Sequence, residues 1–89
     1  MDDRSLLDAL LETAEELGLE IRREPIDGES GGLCRIRGRR ILFVDTLADL
    51  GTRVQHTCEA LAALPEIDDC YLRPDIRERI ERARAEKPQ

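Results

Sequence analysis

Apolar residues recur at helical spacing from the start of the chain: Leu6, Leu7, Leu10, Leu11, Ala14 and Leu17 form one broad stripe. That stripe predicts a first helix over residues 5–18. Ser5 is its expected N-cap, Asp2 and Asp3 sit at the positive end of its dipole, and Gly18 stops it. The period then changes from helical to alternating. Leu19, Ile21 and Arg23 fall on one side of an extended segment, and Glu20, Arg22 and Glu24 on the other. This predicts an edge strand, closed by Pro25. "IDGESGG", residues 26–32, follows as a loop.

Residues 33–44 predict a β-hairpin. Gly38-Arg39 suits a two-residue type II′ turn, in which glycine comes first. That turn would set Arg37 opposite Arg40, Ile36 opposite Ile41, Arg35 opposite Leu42, Cys34 opposite Phe43 and Leu33 opposite Val44. Side-chain alternation then separates two faces. Cys34, Ile36, Ile41 and Phe43 make the expected core face. Leu33, Arg35, Arg37, Arg40, Leu42 and Val44 make the other, charged near the turn and apolar at its far end.

The next helix is expected from Asp45 or Thr46 to Pro65, with Leu47, Leu50, Val54, Cys58, Leu61 and Leu64 as its stripe. Gly51 inside it points to close packing. After a connector with Ile67, Cys70 and Leu72 as anchors, Pro74 opens a last helix whose thin stripe is Ile76, Ile80 and Ala83. Asp75–Arg79 and Glu78–Arg82 are expected ion pairs on it, and the chain is expected to fray from Lys87. The order α-β-β-β-α-α, with three antiparallel strands, predicts a single α+β domain spanning residues 1–89, with helices on one face of a small sheet.

Composition narrows the class. Thirteen leucines and 7 isoleucines against one phenylalanine and one tyrosine imply an aliphatic core. The net charge of −6 is unevenly spread: residues 1–31 carry −7, whereas residues 32–64 carry +2. Acidity and scarce aromatic rings argue against nucleic-acid binding, which needs a basic surface and stacking platforms. The acid-interrupted N-terminus is unlike a signal peptide, and no segment is apolar enough to span a membrane. Three cysteines, an odd number without a close pair, fit a reducing compartment. Together these features predict a cytoplasmic protein without membrane contact.

Candidate chemistry is sparse. The glycines of "GESGG" feed a strand and lack the lysine and hydroxyl of a phosphate-binding loop. Cys34, Cys58, Cys70 and His56 match the ligand count of a Cys3His zinc site, but their spacing does not match. His56 and Cys58 are two residues apart, so they point to opposite sides of a helix. Cys34 has no base placed to activate it as a nucleophile. No carboxylate pair stands out. The expectation is a non-catalytic protein without a cofactor, with the zinc site as the alternative.

The mixed hairpin face is the strongest functional signal. If helices cover only the opposite face, Leu33, Leu42 and Val44 are exposed within an arginine rim of Arg35, Arg37 and Arg40, as in a protein-binding patch. His56, with Ala60 and Ala63, offers a second small-residue surface. These residues predict a homodimer or a complex with another protein, and a charged residue at Leu42 should then abolish association without unfolding the chain.

The order helix, strands ending in "GRRILFVDT", and helix "LADLGTRVQHTCEALAAL" resembles the minimal zincin core of the ImmA/IrrE-like metallopeptidases over residues 5–64. "CEALA" at 58–62 stands where that family carries HExxH. Glu59 matches the general base, while Cys58 and Ala62 replace both zinc-binding histidines. The resemblance implies a zincin-like scaffold without its zinc or its peptidase chemistry; a zincin-like hydrolase is the remaining alternative. "SGGLCR" and "GRRILFVD" are also similar to small bacterial proteins, a likeness that implies no activity.

Overall fold

The computed structural model describes residues 2–26 and 32–86. Helix α1 (Asp3–Glu16) leads into β1 (Glu20–Glu24), β2 (Leu33–Ile36) and β3 (Arg39–Asp45). Helix α2 (Leu50–Ala62), a 3-10 turn (Pro65–Asp69) and helix α3 (Pro74–Glu86) complete the chain. The α+β class and the element order are those the hydrophobic pattern predicts. The expected loop at 26–32 and the tail from Lys87 lie largely outside the described residues.

The sheet is mixed rather than wholly antiparallel. Its order is β1-β3-β2, with β1 parallel and β2 antiparallel to β3. The physical reason lies in β3. "ILFV" is the longest apolar run among the three strands, and a central position covers both its edges. The highly charged β1 and the short β2 take the edges, where the long polar side chains of β1 remain hydrated.

The hairpin turn sits one residue earlier than predicted. Arg37 and Gly38 both adopt left-handed backbone, with φ of 52° and 78°, as a type I′ turn requires. Cys34 therefore pairs with Ile41, Leu33 with Leu42, Arg35 with Arg40 and Ile36 with Arg39. The I′ twist matches the right-handed twist of the flanking strands, which outweighs the cost of an arginine at positive φ.

The buried face is the opposite of the one expected. Leu42 is 1% and Val44 6% exposed, and both belong to the main core with Leu10, Leu11, Val54, Leu61 and Ile80. Leu33 packs partly against them. Pairing with β1 decides this. Ile21 lies beside Leu42, so Glu20, Arg22 and Glu24 fall on the side of Ile41 and Phe43. The helices cover the side that carries Ile21, Leu33, Leu42 and Val44. Each fully buried leucine there contributes about 1.5–3 kcal/mol.

Local signals shift the helix ends. Asp2, not Ser5, caps α1, its carboxylate accepting from the Ser5 N–H at 2.8 Å. Helix α2 begins only at Leu50, with Asp49 at its N-cap. Asp45 instead holds the preceding turn, accepting from the Leu47 N–H at 2.9 Å and the Ile26 N–H at 3.1 Å. Those bonds keep Leu47 off the helical stripe, and it is 72% exposed. A Cβ on Gly51 would meet only the Asp49 carboxylate at 3.5 Å, so no close packing calls for glycine there.

Candidate functional site

The side of the sheet away from the helices is laid out by strand alternation. Glu20, Arg22 and Glu24 line β1, Ile41 and Phe43 the middle of β3, and Cys34 and Ile36 the edge strand β2. Ion pairs occupy the β1 side. Arg22 Nε lies 2.7 Å from Glu20, whose other oxygen lies 3.2 Å from Arg39. The Arg22 bond is the main cause holding the Glu20 carboxyl below its usual range. The β2 side is apolar. Ile36 is 47% exposed, Cys34 is exposed and Phe43 half-buried, while Ile41 is sealed between its neighbours. The surface is a short apolar stripe bordered on one side by a carboxylate–guanidinium ladder.

The expected apolar patch of Leu33, Leu42 and Val44 is thus core, not surface. Of its arginine rim, Arg35 and Arg37 are exposed. Arg40 turns inward, donating to the Leu17 carbonyl at the end of α1 (2.8 Å) and pairing with Glu66 (2.8 Å). The facing arginines are Arg35 and Arg40 rather than Arg37 and Arg40. Glu66 relieves the like-charge contact from within the chain. Beside them a recess of about 230 Å³ runs along the β2 edge, lined by Leu33, Cys34, Arg35, Arg40, Ala63, Leu64 and Pro65.

The second expected surface is not assembled. Ala60 is buried, Ala63 is exposed and His56 is half-buried in a small recess with Phe43, Asp45, Ala48 and Arg53. The four candidate metal ligands are dispersed. Cys34 is on the outer sheet face, and Cys58 is fully buried between the helices. Cys70 donates its thiol to the Ile67 carbonyl. Among the described residues no three His, Cys, Asp or Glu side chains gather as a metal site would need. Burial pushes the Cys58 thiol up to about 11, the opposite of nucleophilic activation. Glu59 accepts from Gln55 at 3.0 Å, and Gln55 in turn accepts from Arg79 of α3 at 2.8 Å. That carboxylate is part of the contact between α2 and α3.

Periodicity of the hairpin alone left the outer face of Cys34, Ile36 and Phe43 hidden as presumed core. The signal that identifies it is the charge alternation of β1, once β1 is known to lie beside β3. No helix among the described residues is long and apolar enough to cross a membrane. No protein-family model, curated protein or solved structure matches the chain.

Proposed function

We propose that this protein is a non-catalytic association module that binds a second copy of itself through the β2 edge of its hairpin, where Cys34 and Ile36 are exposed. One observation carries the reading. Among the described residues, α1 and α2 pack on one side of the sheet with α3 against them, while Cys34 and Ile36 are exposed and Phe43 half-buried on the other. An exposed isoleucine next to an edge that no described strand pairs costs solubility unless a partner covers it. The same edge on a second copy complements it, strand to strand, across a two-fold axis.

Light scattering over a range of protein and salt concentrations tests this. The expected mass is twice the 10.1 kDa of the chain at high concentration. Ile36→Glu should return it to one chain mass with the circular dichroism unchanged. A single chain mass at every concentration would rule the reading out.

A further inference from the structure

We infer that two copies join edge to edge through β2, antiparallel, with Cys34 on the two-fold axis. The inference rests on the self-association reading and adds its geometry. The Phe43 N–H donates to the Gly32 carbonyl at 3.0 Å, so Gly32 and Phe43 form a hydrogen-bonded pair. Such pairs alternate along an antiparallel ladder, so Cys34 with Ile41 and Ile36 with Arg39 are also hydrogen-bonded pairs. Leu33 and Arg35 therefore point their N–H and C=O groups away from β3, toward an edge that no described strand pairs. The other edge is less suited, because β1 runs into Pro25 and carries Arg22, Arg23 and Glu24 in succession.

The phase of those free groups selects the register. A sheet continued by a two-fold axis perpendicular to it must match inward-facing with inward-facing residues, so the axis passes through a residue and not between two. Centred on Arg35, it would set two guanidinium groups directly opposite. Centred on Leu33, it would run half of the pairing into residues before β2. Centred on Cys34, Leu33 exchanges both backbone hydrogen bonds with the partner's Arg35, and Arg35 with the partner's Leu33. Four outward groups on each copy are then satisfied at once. Gly32 faces the partner's Ile36, completing the length of the strand.

The recess beside the edge accepts this arrangement. Its Ala63, Leu64 and Pro65 lie where the inward side chains of an added strand pass. The partner's Arg35 enters there, next to the Glu66 carboxylate that already holds Arg40. Cys34 and the partner's Cys34 form a non-hydrogen-bonded pair with Cα atoms about 4.5 Å apart. That is within the separation a disulfide spans.

The test uses the full chain carrying Cys70→Ser, treated with oxidised glutathione. Two Cys34 thiols then give up two protons and two electrons, forming one disulfide and releasing two glutathione molecules. A Cys34–Cys34 crosslink, located by mass spectrometry of peptides, is expected. It should form at least tenfold faster than the crosslink of a Cys34→Ser, Ile36→Cys chain, whose cysteine faces Gly32. Arg35→Pro removes an N–H that points away from β3, so the hairpin ladder is retained while the dimer contact is lost. That variant is expected to keep its circular dichroism and to have the mass of one chain. A dimeric mass with equal crosslinking from positions 34 and 36 would overturn the edge geometry and leave self-association standing. A single chain mass throughout would overturn both.

Discussion

Leu42 carries more of the fold than any other strand residue, being 1% exposed at the point where β1, β2 and β3 meet the helices. Leu42→Ala should cost about 2–5 kcal/mol, a large part of the stability of a domain this small. Urea denaturation checks it: the midpoint should fall sharply, while a loss below about 1 kcal/mol would return Leu42 to the surface. A charged residue there should unfold the chain rather than merely block association. The cysteines divide by the same logic. With its thiol raised to about 11, Cys58 should react with a disulfide reagent at pH 8 only when the protein unfolds, whereas exposed Cys34 should react at once. Equal rates in the native protein would contradict the burial of Cys58. Alternation assigned these residues to their shared faces, since strand parity is local. It could not say which face is inside, because the deciding charges are on β1.

Among the elements, helices were the most legible. The stripes of α1 and α3 recur in the core as Leu7, Leu10, Leu11 and Ala14, and as Ile76, Ile80 and Ala83. Their ends were less so, since Ser5 and Asp2 are both acceptable caps and only the path of the backbone selects Asp2. The hairpin presents the sharpest case. Gly38 was visible as a turn residue, but glycine serves first in a II′ turn and second in a I′ turn. The chosen turn leaves Arg37 at φ 52°. Arg37→Asn, which creates the Asn-Gly pair favoured by type I′, should stabilise the protein by about 1 kcal/mol. Thermal unfolding should register a rise of several degrees; a fall would mean that the arginine side chain offsets its backbone strain.

At the scale of the whole molecule, short-range carboxylate contacts predict a fold that is sensitive to acid. Hydrogen bonds from the Leu47 and Ile26 N–H groups hold the Asp45 carboxyl below its usual range, joining the exits of β1 and β3. The Ser5 N–H does the same for Asp2. On Glu66 its own backbone N–H acts first and Arg40 second. Each group has a folded pKa below its unfolded one. Its contribution is therefore present above the ordinary carboxylate range near about pH 4, and is lost as pH falls through the folded value. The melting temperature should be flat from pH 7 to 5 and drop below about pH 4, with Asp45→Asn reducing that drop. A profile unchanged down to pH 2.5 would refute the role of these contacts.

The sequence by itself determined the elements, their order, the α+β class and the helical part of the core, because hydrophobic period, caps and turn residues act over a few neighbouring positions. It also determined which strand residues share a face. Tertiary structure alone decided that β3 lies between β1 and β2, that the parallel neighbour turns Leu42 and Val44 inward, and that Cys34 and Ile36 are left outside. Those outcomes depend on pairing between segments about twenty residues apart, where burying Ile21, Leu33, Leu42 and Val44 together outweighs the preference of any one hairpin.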